Sequence, residues 1–194
     1  MRILGITGSL RRGSYNHALL REAAERLPAG VELVEFERLA EIPPYDADLE
    51  AAAEEDKEAA PAAVEELREA MREADAVLVA TPEYNHSIPG VLKNALDWAS
   101  RPAGQSALNG TPAAVIGAST GMFGAVWAQA ETRKVLGALG GRVVEAELPV
   151  AKAADLYRDG RLELSPEQSQ QLESLLAELV AEAEQLRGLT MAAV

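Results

Sequence analysis

Cysteine is absent from the chain. That excludes disulfides and thiolate chemistry. Histidine occurs twice, as His17 and His86, which is too little for a histidine-rich metal site, and no metal is expected. Basic residues are outnumbered, with 18 Lys and Arg against 31 Asp and Glu and a net charge of −13. A nucleic-acid binder needs a basic face, so that class is excluded as a partner. No stretch reaches the roughly 18 apolar residues that a membrane span needs. Met1 runs straight into an apolar segment without a charged leader, so a cytoplasmic location is expected. Aromatic residues make up only 4% of the chain, so few rings are available to shield a flat ligand.

What is present fits a soluble globular protein. The chain has 194 residues, 48% of them apolar and 25% charged, enough for one sizeable core. The expected organisation is a single domain over residues 1–188 and a short C-terminal tail over 189–194. Apolar runs and helical periodicity alternate along it. Residues 2–7 read as a buried strand, and Ser14 to about Leu27 as a helix ended by Pro28 and Gly30. Residues 31–36 form a second strand, interleaved with glutamates as at a sheet edge. A long connection, 37–60, holds Pro43-Pro44 and an acidic Ala/Glu run whose Glu50–Glu58 stretch reads as a solvated face. A helix over 62–74 precedes the strand AVLVAT at 76–81. A helix over 89–99, a strand over 113–118 and a helix over 122–139 follow. A fifth strand is expected over 142–148 and a last amphipathic helix over 166–186. This alternation predicts an α/β three-layer sandwich around a five-stranded parallel sheet, with the flavodoxin-like order 2-1-3-4-5.

In such a sheet ligands bind beyond the carboxyl ends of the strands, between strands 1 and 3. The turn after strand 1 reads Gly8-Ser-Leu-Arg-Arg-Gly-Ser-Tyr-Asn16. Backbone N–H groups, a helix N-terminus and Arg11 and Arg12 make it an anion trap, best suited to a phosphate. A strand–helix turn capped by Ser14, with solvated arginines, is the plainer alternative. The turn lacks the Lys of a P-loop and the G-x-G-x-x-G of a dinucleotide fold, although Glu35 or Glu37 could imitate an acidic ribose ligand. The loop after strand 3, TPEYNHSIPG, is stiffened by two prolines and could read the edge of a flat heterocycle, with Tyr84 as a wall. Here too a rigid turn with Ser87 as a helix cap is an alternative. The loop after strand 4, ASTGMFG, permits close approach to a ring. His17 is expected on the surface of the first helix, His86 at an exposed or interface position, and Trp98 and Trp127 in the core or at a subunit contact.

Together, G-S-L-R-x-G-S-x-N after strand 1 and the block Ala74–Trp98, ADAVLVATPEYNHSIPGVLKNALDW, resemble the NADPH-dependent FMN reductase family of quinone, azo-dye and chromate reductases. Gly117–Gly124 with Gln129 is similar as well, apart from Gly124-Ala125 where relatives often carry two glycines. The resemblance implies bound FMN, with NADPH or NADH as donor. It assigns Ser9, Arg11, Ser14 and Asn16 to the FMN phosphate. Pro82, Glu83, Tyr84 and Asn85 fall to one side of the ring, and Ser119 and Gly121 to the other. It implies two-electron transfer to a small-molecule acceptor such as a quinone, free flavin or azo dye, with no catalytic side chain, in a homodimer or homotetramer. A flavodoxin-like one-electron carrier or a non-catalytic FMN-binding protein is the alternative. Such carriers favour Ser/Thr-rich phosphate turns and aromatic shielding, and this chain has arginine in the turn and few aromatics.

Overall fold

A computed structural model describes residues 1–56 and 61–192, with the side chains of Glu54 and of residues 190–192 left aside. The strands are β1 (Arg2–Thr7), β2 (Glu32–Glu35), β3 (Ala76–Thr81), β4 (Pro112–Ala118), β5 (Arg142–Val143) and β6 (Pro149–Val150). They form one parallel sheet in the order β2-β1-β3-β4-β5, with β6 also paired to β4. This is the expected order. β3 and β4 are buried along their whole length, which is why they read as unbroken apolar runs rather than alternating ones. β2 lies at the edge and is only partly covered, which explains its interleaved glutamates. Register places Thr7 beside Ala80 and Thr81 beside Gly117, so β1, β3 and β4 end level with one another.

Helices cover both faces. α1 (Tyr15–Ala24) and α7 (Pro166–Ala192) pack on one side, around Leu19, Leu78, Ile116, Leu172 and Leu176. α3 (Ala62–Glu73), α4 (Gly90–Ala99) and α5 (Val126–Ala138) pack on the other, around Leu67, Val79, Leu92, Val115 and Leu136. Trp98 belongs to this core, and its indole N–H donates to the carbonyl of Pro43 at 2.9 Å. Phe36, Leu39 and Ile42 from the long connection close over α4, so much of that helix's apolar surplus is covered within the chain.

Four details depart from expectation. The fifth strand is split, because residues 145–147 leave the ladder, while Val144 N–H still donates to Ala113 O and Leu148 O still accepts Gly117 N–H. The Gln129 carboxamide ties the far side of the gap to the loop after β4, accepting from Leu148 N–H at 3.1 Å and donating to Gly124 O at 3.0 Å. Gly117 is needed beside it, since a Cβ there would stand 2.9 Å from both Gln129 Nε2 and Thr81 O. The helix expected from Met122 starts at Val126, because Gly124 and Ala125 both have positive φ. Residues 151–165 form a short α6 (Ala153–Leu156) and a hairpin of β7 (Tyr157–Arg158) and β8 (Arg161–Leu162) that packs on α1. Finally, α7 runs past Leu186 to Ala192, so part of the stretch expected as a tail is helical.

The acidic run is not wholly a solvated face. Residues 57 and 58 lie outside the described part, but α2 (Ala47–Glu55) turns Glu50 inward. Glu50 accepts the Tyr45 hydroxyl at 2.5 Å and Arg101 Nε at 2.8 Å. The Arg101 bond holds its carboxyl below the usual carboxylate range, against a raising effect of burial. A depressed folded value means that the contribution to stability is complete above about pH 4.3 and fades as pH falls through that lowered value. Glu50→Gln is therefore expected to lower Tm by about 2–6 °C at neutral pH. The penalty should shrink near pH 3, as scanning calorimetry at the two pH values would show.

Candidate functional site

The turn after β1 is held by its own polar groups. Gly8 N–H donates to Ala80 O at 2.9 Å, tying the turn to β3. Ser14 caps α1, its Oγ accepting the N–H groups of Asn16 at 3.1 Å and His17 at 3.4 Å. The first turn of α1 carries no acidic side chain, so its positive dipole end is left for an external anion. The Arg11 guanidinium donates to Gly13 O at 2.8 Å and sits 4.6 Å from the centroid of the Tyr15 ring. Tyr15 in turn rests edge-on against Tyr157 of the hairpin, at 5.2 Å.

Two side chains tie the three strand-end loops together. The Asn16 carboxamide donates to Ala118 O at 3.0 Å and accepts Ala118 N–H at 2.9 Å, joining the turn after β1 to the end of β4. Glu83 Oε2 accepts the N–H groups of Trp127 at 3.1 Å and Ala128 at 3.2 Å, capping α5, whose own N-cap, Ala125, supplies no side-chain bond. Between them Tyr84 and Ser87 exchange both backbone bonds at 3.1 Å, and Asn85 and His86 adopt positive φ, as in a type I′ turn. Ser119 N–H donates to Val150 O at 3.0 Å, and Gly121 O accepts Lys152 N–H at 2.9 Å, fixing the third loop on the segment that carries β6.

The loops enclose a cleft of about 260 Å³ at the carboxyl ends of β1, β3 and β4. Ser9, Arg11, Ser14, Asn16, Pro82, Glu83, Tyr84 and Ser119 line it. Asn85 and Gly121 do not. Asn85 sits at the turn tip with positive φ, and Gly121 contributes its carbonyl to Lys152. Tyr15, Ala118 and Thr120 complete the lining. Tyr15 stands at a variable position of the phosphate motif, so the motif carries no signal for it. His86 is exposed and packs edge-on to Trp127 at 4.8 Å, which itself meets Phe123 at 4.8 Å. His17 is not a free surface residue. Its Nδ1 lies 2.5 Å from Glu35 Oε1 and its Nε2 3.2 Å from the Ser9 carbonyl. Glu35 is thereby taken up by His17 rather than left to bind a ribose.

The model for the NADPH-dependent FMN reductase family matches residues 1–155. The chain belongs to the NADPH-dependent FMN reductase family. It is 50% identical over 136 residues to an NAD(P)H-dependent FMN reductase of Pseudomonas aeruginosa, covering 70% of this chain and 69% of that one. Over an alignment of the same length and coverage it is 40% identical to a quinone reductase of Escherichia coli. Among solved structures it is similar to FerB, a flavoenzyme NAD(P)H:(acceptor) oxidoreductase from Paracoccus denitrificans. That match has 34% identity and a TM-score of 0.80, covering 95% of this chain and 97% of FerB. The reductase is thus an FMN-dependent NAD(P)H oxidoreductase.

The residues present fit that cofactor. A phosphate monoester requires several donors and no nearby carboxylate, and the α1 end of the cleft offers two hydroxyls, a guanidinium and the positive end of the α1 dipole. The Glu83 carboxylate, the acid in the lining, is turned onto the backbone of α5. A charge-assisted bond from a guanidinium contributes about 1.5–3 kcal/mol. Arg11→Ala is accordingly expected to weaken FMN about tenfold to a hundredfold without loss of fold. Titration calorimetry checks this, and an unchanged Kd would leave Arg11 as a solvated charge.

Proposed function

We propose that the reductase passes two electrons from NAD(P)H to a quinone or a similar flat, small-molecule acceptor at a single cleft. The observation that carries this reading is the convergence of the loops after β1, β3 and β4 on one cleft with anion donors at one end. When bound, FMN would supply the two-electron redox chemistry of hydride transfer. Ser9, Arg11 and Ser14 hold its phosphate, and Pro82, Tyr84 and Ser119 border its ring. Asn16 and Glu83, also in the lining, fix the loops through their backbone bonds. Quinone reduction is named for the Escherichia coli relative, and the 40% identity supports the same acceptor class here.

The assembly is a homodimer or homotetramer. Met122, Phe123 and Trp127 are exposed together beside the cleft, an apolar surface that a second chain would bury. The protein acts in the cytoplasm. No helix among the described residues is long and apolar enough to cross a membrane.

The purified chain should be yellow and carry one FMN per chain. Colourless protein that leaves the fluorescence of added FMN unquenched would sink the cofactor assignment. Because one cleft serves donor and acceptor in turn, double-reciprocal plots at several quinone concentrations should be parallel. Intersecting lines would show that both substrates bind together and would overturn the single-cleft reading. A monomer mass by light scattering at micromolar concentration would contradict the assembly.

A further inference from the structure

The hairpin of β7 and β8 lies beyond residues 1–155, the part of the chain that the family model matches. Its residues are not in the lining of the cleft. It is nevertheless fixed to α1, the helix that begins at the phosphate turn. Its turn residues Asp159 and Gly160 have positive φ, Arg21 donates to Gly160 O at 2.6 Å, and Arg161 pairs with Glu22 at 3.1 Å and with Glu25. Leu162 is buried in the core on the α1 side of the sheet. At the start of the hairpin Tyr157 meets the ring of Tyr15 edge-on, with the two planes 75° apart.

Tyr15 does line the cleft, and the Arg11 guanidinium sits 4.6 Å from its ring centroid. That is within the reach of a cation–π contact. We propose that Tyr15 is a positioning residue for Arg11, and that the hairpin is the brace that holds its ring in place. This rests on the reading of the cleft as an FMN site. A long side chain in a turn has many rotamers, and ordering it only when the anion arrives costs affinity. Arg11 is ordered beforehand at two points, the Gly13 carbonyl at 2.8 Å and the Tyr15 ring. Gly13 O takes one of the five guanidinium N–H groups, and no other acceptor among the described residues takes the rest. Those remain for a phosphate.

The other groups of the turn do not supply this support. Ser9 Oγ accepts the backbone N–H of Arg11, which orients the chain but not the guanidinium. Among the described residues Arg11 has no ion pair, so the aromatic ring is what stands beside its charge. The Tyr15 hydroxyl makes no hydrogen bond among them either, which leaves the ring as the acting group. Edge-on packing against Tyr157 fixes the plane of that ring. The neighbouring Arg12 is exposed and has no such ring contact.

The test is a double-mutant cycle on the full chain, stripped of flavin, with FMN affinity read by fluorescence quenching. Tyr15→Leu is expected to weaken FMN about twofold to fivefold, the worth of an exposed cation–π contact. Tyr15→Phe keeps the ring and should bind FMN as the native chain does. Tyr157→Leu should weaken FMN in the same direction, by no more than Tyr15→Leu. In an Arg11→Ala background both leucine variants should add nothing, because the side chain they position is gone. Native affinity in Tyr15→Leu overturns the proposal. So does an equal loss in Tyr15→Phe. A loss of the same size with and without Arg11 also overturns it, since Tyr15 would then act by a contact of its own or by packing. Native affinity in Tyr157→Leu overturns the role of the hairpin. If circular dichroism shows that Tyr15→Leu does not fold, the cycle between Tyr157→Leu and Arg11→Ala decides in its place. A native chain that binds no FMN removes the cofactor reading itself, which no result on the variants can do.

Discussion

The structure depends on the two hydrogen bonds between Asn16 and Ala118. β1 and β4 are not neighbours in the sheet, since β3 lies between them, so no ladder joins their ends. The buried carboxamide of Asn16 bridges that gap by pairing with both the N–H and the C=O of one residue at the tip of β4. A side chain that lost either function would leave a buried backbone group unpaired, at about 1–3 kcal/mol. It would also release the turn that carries Arg11 from the loop that carries Ser119. Glu83 makes the corresponding tie on the other side, from the loop after β3 to the start of α5. The cleft is therefore three loops cross-linked by side chains, standing on strands whose register already brings their ends level.

This bears on what a motif residue does. Asn16 and Glu83 belong to the segments that mark the family, yet both commit their polar atoms to the backbone of another loop. Sequence alone cannot separate a residue that faces a ligand from one that fixes the residue that does. Composition is the same in both cases, and only the partner differs. The same holds for His17. A lone histidine in a helix reads as solvated until the edge strand that carries Glu35 is placed beside it.

Much of the fold was legible because the central strands are buried on both faces. Ala76–Thr81 and Pro112–Ala118 have no polar side to confuse the pattern, and their ends follow directly from the apolar runs. The misreadings occur where a side chain substitutes for backbone. Residues 142–148 alternate like a strand, but Gln129 takes the Leu148 N–H and the ladder is interrupted. Glu50 looks like one carboxylate in a solvated run, and it is Tyr45 just before α2 and Arg101, distant in sequence, that make it internal. The hairpin over 157–162 had a local signal in Asp159-Gly160, both at positive φ. Its flanking strands are two residues each, too short for periodicity to register.

The chemistry of the cleft follows from what its lining can and cannot do with a proton. Its ionisable members are Arg11, Tyr15, Glu83 and Tyr84. Arg11 stays charged at any working pH. Glu83 accepts two backbone N–H groups through Oε2, which fixes its carboxylate against α5. Tyr15 is held between Arg11 and Tyr157. This leaves no poised acid–base pair of the kind that hydrolysis or isomerisation needs. A site of this composition can bind an anion, border a flat ring and leave one side open to a second molecule. Those are the requirements of hydride transfer through a cofactor, where the protein contributes position and field rather than a reacting group. The acidic balance of the chain is consistent with this. The first 21 residues carry no Asp or Glu, so the helix end where a phosphate would sit has no acid within its own segment.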